Sequence, residues 1–503
     1  MSIAGSYLAI DVGASSGRGI VVRFDGERFV ATEVHRFENG PLQRGDGLFW
    51  DAPKLFAEIK AALRAAGEGG VRLSSVGIDT WGVDFGLFDR AGKLIDLPRH
   101  YRDPRNVAAM EAAHRRVPRE RIYRSTGIQF MALNTLYQLL ACADDAARPL
   151  DSAARLLFMP DLFGYWLTGE MQTEPTIAST SQALVAATRD WDRELLASLE
   201  IPTGIMPPIR PTGSIAGRVR DDLARETGQS GLPVVLTAGH DTASAVAAVP
   251  ACGDDWAYIS SGTWSLVGLE LPEPNISDAS LAANFTNEAG VGGTVRFLKN
   301  VTGLWLLQEC RRCWAEAGRA FSYDELNGLA EAAEPLRSLI DPDDPRFATP
   351  GDMPLRIREA CHAGGEPEPA TEGQIVRCIL DSLALRYDEV LATAAALTNR
   401  PIRTVHVVGG GSQNALLNRL MAAASQREVI AGPSEATALG NAAVQAVAVG
   451  HLRDVAAARQ AVAASVALQT RHPPTDSTER RMWAAARERF AALTRSTAAG
   501  GGK

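Results

Sequence analysis

The chain has 503 residues, 46% of them hydrophobic and 22% charged, with a formal net charge of -8. That length exceeds one ordinary hydrophobic core and predicts two lobes, while the composition, close to that of folded domains, excludes extensive disorder and fibrous structure. An acidic balance without basic runs argues against nucleic acid and anionic membranes as partners, and no apolar run of about 18 residues is present to cross a bilayer.

In chain order, the opening MSIAGSYLAIDVG lacks the basic and apolar regions of a secretion signal, which predicts a cytoplasmic protein. The β-rich runs YLAIDVG and GIVVRF read as a hairpin, followed by PKLFAEIKAALRAA, whose apolar residues recur with a helical period. Ala14, Ser15, Ser16, Gly17 and Arg18 follow Asp11 at the hairpin turn. Such small residues turn tightly and offer amides and hydroxyls to phosphate oxygens. Asp11 stands where a magnesium ion, held largely through water, could bridge to those phosphates, and Arg18 adds positive charge. A polar turn served by Asp11 is the other reading of the same residues.

The next strand, VRLSSVGIDTWG, runs into Gly82, Val83, Asp84 and Phe85. Glycine, carboxylate and aromatic groups there could meet a small polyol or could be buried packing. Asp84-Phe85-Gly86 spells the DFG of protein kinases but lacks the lysine strand and HRD loop that accompany it, so the string is a coincidence. A Pro- and Gly-rich stretch over 201–217 precedes PVVLTAGHDTA, which places the lobe boundary near Gly239 to Gly253, with lobes over 1–245 and 246–495. Within Gly239-His240-Asp241-Thr242, Asp241 reads either as the cap of the apolar helix that follows or as the carboxylate that takes a hydroxyl proton during phosphoryl transfer.

The second lobe repeats the order of the first. DWAYISSGTWSLVGLE sets Ser260, Ser261, Gly262 and Thr263 at a strand end, a second loop able to grip phosphate. Six cysteines are too few for a disulfide scaffold; Cys310 and Cys313, in the helical GLWLLQECRRCWAEA, have no partner pair for zinc and read as two thiols on one helix face. Residues 341–369 read as a surface excursion, EGQIVRCILDSLALRYDEVLATAAAL as a long helix, and 496–503 as a flexible tail. In TVHVVGGGSQNALLNRL, a strand, a glycine turn and a helix, the three glycines Gly409, Gly410 and Gly411, ahead of Asn414, would let the adenosine end of a nucleotide approach the backbone. Neither GxGxxG nor GxxxxGK[ST] occurs, so neither a dinucleotide fingerprint nor a P-loop is supported.

IDVGASSGR, GIDTWGVDF, YRSTGIQF, NTLYQL, MPDLFGYWLTG, HDTASAV, YISSGTWSL, LKNVTGLWLLQE, DSLAL and VGGGSQN with GPSEATALGN occur in this order over nearly the whole chain. Together they resemble the FGGY family of carbohydrate kinases. The resemblance implies an α/β, two-lobed actin-like fold of ribonuclease-H-like lobes with a nucleotide cleft between them. It also implies Mg2+-dependent transfer of phosphate from ATP to the 1-hydroxyl of a small ketose, L-rhamnulose. A kinase for another ketose such as L-fuculose is the alternative, and a non-enzymatic actin-like ATP switch a more distant one. By matched positions, the resemblance puts Ala14 through Arg18, Thr263, Gln308 and Gly410 at ATP, and Gly82, His240, Asp241, Thr242 and Asn300 at the sugar, with Asp241 as proton acceptor. No segment of the sequence stands out as an assembly interface, so no obligate protein partner is expected.

Overall fold

The computed structural model describes residues 4–45 and 47–500. The chain forms two compact units: residues up to Pro250 with Glu270–Phe297 and Ala436–Val466 in the first, and Ala251–Leu269, Leu298–Glu435 and the chain from Ala467 onward in the second. The single division expected near residue 245 therefore gives way to several.

The first unit is built on a sheet whose strands run in the order Phe29–Glu38, Ser16–Phe24, Gly5–Val12, Ser75–Thr80, Pro233–Val235 and Ile215–Arg218. The hairpin strands pair antiparallel, whereas Gly5–Val12, Ser75–Thr80 and Pro233–Val235 are parallel. The central strands are continuous buried runs, as expected of strands covered on both faces. Phe29–Glu38, an edge strand with most side chains exposed, lacks a clean apolar alternation and was not legible as a strand.

Helix Ala52–Glu68 starts where the Asp51 carboxylate accepts from the Lys54 amide at 3.0 Å. Its Leu55, Ile59 and Leu63 repeat every four residues and lie fully buried in the core below the sheet. Each such burial contributes about 1.5–3 kcal/mol. The helix Ala436–Ala448 packs on the strand Gly5–Val12 and on the short helix Asp241–Ala247. A Cβ at Gly440 would stand 1.8 Å from the Ser244 carbonyl oxygen, so only glycine permits this approach. That contact carries residues 436–466 into the first unit.

The second unit repeats the scheme. Its strands Val295–Thr302, Trp264–Leu271, Trp256–Ser261, Thr404–Val408, Glu428–Ala431 and Gln469–Arg471 neighbour one another in that order. Again a hairpin opens the unit and parallel strands follow it. The long helix is present as Glu372–Thr398, capped by Thr371. The stretch over 341–369 is not a mere surface excursion: it carries the helix Met353–Ala363, whose Met353, Ile357 and Cys361, four residues apart, are buried. Residues 496–500, expected in a flexible tail, continue the helix Ser477–Gly500, and 501–503 lie outside the described residues. Cys310 and Cys313 share the helix Trp305–Glu316 as reduced thiols, the first buried and the second half-buried. Among the described residues, no helix is long and apolar enough to cross a membrane.

Candidate active site

The hairpin register sets Asp11 opposite Arg18 on one side and opposite Asp79 of the parallel strand on the other. The Arg18 guanidinium donates to Asp11 Oδ2 at 2.8 Å, and both side chains are mostly buried. The turn between them is closed by the Gly13 amide on the Ser16 carbonyl at 2.9 Å. Asn39 pins it from outside, donating its side-chain amide to the Gly13 carbonyl at 2.8 Å and its backbone amide to Ser15 at 3.1 Å. Ala14, Ser15, Ser16, Gly17 and Arg18 thus form one fixed loop beside a carboxylate.

Asp79 is fully buried, and one of its oxygens accepts from Asn441 Nδ2 while Oδ1 makes no hydrogen bond. Burial, reinforced by the Asp11 and Asp241 charges, holds its carboxyl well above the usual carboxylate range. Asn441 is in turn held by Gln445, which donates from Nε2 to Asn441 Oδ1 at 2.7 Å and accepts from the Ser75 hydroxyl at 2.7 Å. Gly77 leaves room for this network, since a Cβ there would lie 2.7 Å from Asn441 Oδ1.

The strand Ser75–Thr80 ends where the Thr80 amide bonds the Gly239 carbonyl at 2.9 Å, which brings His240 and Asp241 to the same sheet end. His240, not Asp241, is the N-cap of the helix Asp241–Ala247, so the cap reading of Asp241 is corrected. As first helical residue, Asp241 accepts from the Thr242 amide and from the Thr242 hydroxyl, the latter at 3.1 Å. Its side chain keeps 30% exposure, and its Oδ1 lies 3.5 Å from His240 Nε2. Desolvation by the surrounding protein raises its pKa, with the nearby His240 opposing and Asp11 adding to the shift. The result is a carboxylate that is accessible, oriented and more basic than an ordinary aspartate.

Gly82 follows the same strand, packed so that a Cβ would meet the Thr180 side chain at 3.1 Å. Val83 takes a left-handed φ of 70°, held by its amide on the Thr180 hydroxyl at 3.0 Å. Asp84 anchors this loop from beneath. It accepts from Trp50 Nε1, from Trp81 Nε1 at 2.9 Å, from Gln138 Nε2 at 2.8 Å and from the Tyr101 amide at 3.2 Å. Burial outweighs these donors and pushes its pKa to about 7. The indole of Trp81, an open question in the sequence, is thus buried and tied to Asp84.

In the second unit, the hairpin Trp256–Ser261 and Trp264–Leu271 turns at Gly262 and Thr263, with the Gly262 amide on the Trp264 carbonyl at 2.8 Å. Gly303 and Trp305 donate their amides to the Thr263 carbonyl, each at 3.2 Å, and the Thr263 hydroxyl donates to Gln308 Oε1 at 3.1 Å. Thr263 and Gln308 therefore meet although 45 residues separate them. Asn300 lies half-buried on the strand Val295–Thr302. The glycine turn has a division of labour that composition does not reveal. A Cβ at Gly411 would lie 2.0 Å from Ser261 Oγ, and Gly409 needs a φ of 82°. At Gly410 a Cβ would meet nothing within 4 Å, so this is the glycine with an open face. Asn414 caps the helix Ala415–Ser425, accepting from Leu417 at 3.0 Å and donating to Asn327 at 3.2 Å.

Four residues of the first unit's site escaped sequence reasoning: Asp79, Glu288, Arg296 and Asn441. An acid inside the apolar strand SVGIDT was a usable signal for Asp79. The others carry no local signal. Glu288 and Arg296 reach His240 from distant segments, with Arg296 Nη2 3.1 Å from His240 Nδ1 across 56 residues of sequence.

Comparison with known proteins agrees with this architecture. Residues 6–248 match the N-terminal domain, and 257–449 the C-terminal domain, of the FGGY family of carbohydrate kinases. A rhamnulokinase from Bacteroides thetaiotaomicron is 46% identical over 468 residues, covering 93% of this chain and 96% of its own. A rhamnulokinase from Enterococcus faecalis is 41% identical over 477 residues, covering 94% of this chain and 95% of its own. Among solved structures, a gluconate kinase from Lactobacillus acidophilus matches 99% of each chain with a TM-score of 0.80 at 15% identity. Plasmodium falciparum glycerol kinase with ADP matches 97% of this chain and 98% of its own at 0.79 and 15%. At such identities the structural likeness speaks for the fold.

Proposed function

We propose that this chain, which belongs to the FGGY family of carbohydrate kinases, transfers the γ-phosphoryl group of ATP to the 1-hydroxyl of L-rhamnulose. The observation that carries the substrate is the full-length match to two rhamnulokinases, at 46% and 41% identity. The geometry of Asp241 supports its role as base: a raised pKa, retained access and a fixed orientation suit a carboxylate that must take a proton.

In the transfer, the sugar O1–H proton passes to an Asp241 oxygen as the bond from O1 to the γ-phosphorus forms and the bond to the bridging β–γ oxygen breaks, releasing ADP. His240, Thr242, Gly82 and Asn300 would hold the sugar. Ala14 through Arg18, Thr263, Gln308 and Gly410 would meet ATP, Gly410 because its face is open. Gly411 and Asn414 would serve the nucleotide by shaping that turn, since one is filled by Ser261 and the other is a helix cap.

Asp11 fits a magnesium ion in its chemistry, being a hard oxygen donor in a mostly buried position. Among the described residues no group of three metal-binding side chains could enclose an ion, so water and phosphate oxygens would complete its coordination. When bound, the ion would neutralise phosphate charge. The Arg18 guanidinium pairs with the same carboxylate.

The test is ADP release with ATP, Mg2+ and a panel of ketoses. L-rhamnulose should give the highest kcat/KM. A higher value with L-fuculose or another ketose reassigns the substrate, and the absence of any sugar-stimulated release overturns the kinase reading.

A further inference from the structure

His240 stands between Asp241 and a buried ion pair. Arg296 is fully buried, and Glu288 is 5% exposed. The Arg296 Nε donates to the Ala289 carbonyl at 3.1 Å, and Nη2 lies 3.0 Å from Glu288 Oε2. His240 Nδ1 faces both partners, 3.1 Å from Arg296 Nη2 and 3.2 Å from Glu288 Oε2. The backbone of the same turn is fixed separately, with the Gly239 amide on Glu174 Oε1 at 3.0 Å and the His240 amide on the Thr176 hydroxyl at 3.4 Å.

A guanidinium has only donors, and it stays charged. A proton on Nδ1 would confront the Arg296 Nη2 hydrogens, whereas a lone pair there accepts one of them. Of the two contacts on Nδ1, the one from Arg296 Nη2 has hydrogen-bond geometry and the one to Glu288 Oε2 does not, so the ring nitrogen accepts from the guanidinium rather than donating to the carboxylate. Burial raises the Glu288 pKa, but the Arg296 charge more than offsets it, leaving the carboxyl below its ordinary value. Glu288 therefore stays ionised and holds Arg296 in place.

The geometry points to Arg296, anchored by Glu288, as a positioning residue that fixes His240 in the tautomer with its proton on Nε2. That proton lies on the ring nitrogen 3.5 Å from Asp241 Oδ1. In this tautomer His240 presents a donor to the Asp241 carboxylate and to an oxygen bound beside it. In the other tautomer, a lone pair would face the carboxylate and repel it. The tautomer assignment stands on the geometry alone, and its consequence for turnover rests on the proposed kinase reaction.

The test pairs spectroscopy with kinetics. In protein labelled with 15N-histidine, two-bond proton–nitrogen correlations report the tautomer, and loss of signals in His240→Gln identifies the ring among eight histidines. The native protein should show the Nε2–H pattern without any substrate, and an Nδ1–H pattern overturns the proposal. Arg296→Gln should release the ring to a mixture and lower kcat about 30-fold, with the KM for ATP unchanged within about twofold. Arg296→Lys, which keeps charge and a donor, should restore the Nε2–H pattern and most of kcat. If Arg296→Gln does not fold, Glu288→Gln replaces it, with an expected loss of about fivefold in kcat and a mixed tautomer. Native tautomer and kcat in the folded variant overturn the proposal. Because the tautomer is read without sugar, failure to find a turned-over ketose leaves this readout intact.

Discussion

The two opening hairpins, Gly5–Val12 with Ser16–Phe24 and Trp256–Ser261 with Trp264–Leu271, share one backbone device and differ in chemistry. Each ends in a turn of small residues closed by a glycine amide on a carbonyl two or three residues later. The first carries an ion pair, Asp11 with Arg18, and borders the buried acid Asp79. The second is neutral: Thr263 bonds Gln308, and Ser261 fills the space above Gly411. One turn geometry can therefore serve different steps, because a charged turn can hold a metal ion and balance developing charge, whereas a neutral one offers amides and hydroxyls to phosphate oxygens.

If this division is right, substitutions of the carboxylates at the first hairpin's end of its sheet should strike turnover, and substitution of the neutral turn of the second hairpin should strike nucleotide affinity. Asp241→Asn removes the proposed base and should lower kcat by about 10³-fold or more, with thermal unfolding and the KM for ATP little changed. Activity equal to the native protein would remove Asp241 from the chemistry. Asp11→Asn should lower kcat/KM about 100-fold and raise the Mg2+ concentration for half-maximal rate, measured by Mg2+ titration of ADP release. Thr263→Ala, by contrast, deletes one neutral hydrogen bond worth about 1 kcal/mol and should raise the KM for ATP about fivefold at nearly constant kcat. A large fall in kcat there would erase the contrast between the hairpins.

The smallest expected effect concerns stability. The Asp84 pKa is raised from 3.8 to about 7, so the folded state keeps a proton that the unfolded chain releases. Its contribution is therefore most favourable at low pH and declines as pH rises through that window. The difference in melting temperature between the native protein and Asp84→Asn should accordingly shrink from pH 5 to pH 7.5. Thr263→Ala, which changes no titratable group, should run parallel to the native protein over the same range.

The opening hairpin, the strand and loop through Thr263, the helix Ala52–Glu68, the long helix Glu372–Thr398 and the glycine turn were legible because each follows from residues close in sequence: apolar periods of two or 3.6, caps and small turn residues. The pairing of Asp11 with Arg18 across the first turn was legible for the same reason. Phe29–Glu38 was not, since an exposed edge strand needs no apolar alternation. The helix Met353–Ala363 was masked by the Pro- and acid-rich composition around it.

What the amino-acid sequence determined by itself was the local chemistry: Asp11 and Arg18 across one turn, Thr263 at another, and Asp241 after a strand. Only the tertiary structure decided how those groups are used. Parallel pairing brought Asp79 beside Asp11, and close helix packing at Gly440 carried residues 436–466 into the first unit. Two segments far along the chain placed Glu288 and Arg296 on His240. The reason is physical: propensity and periodicity act over a few residues, while register, close approach and the burial that shifts a pKa depend on which distant segments meet.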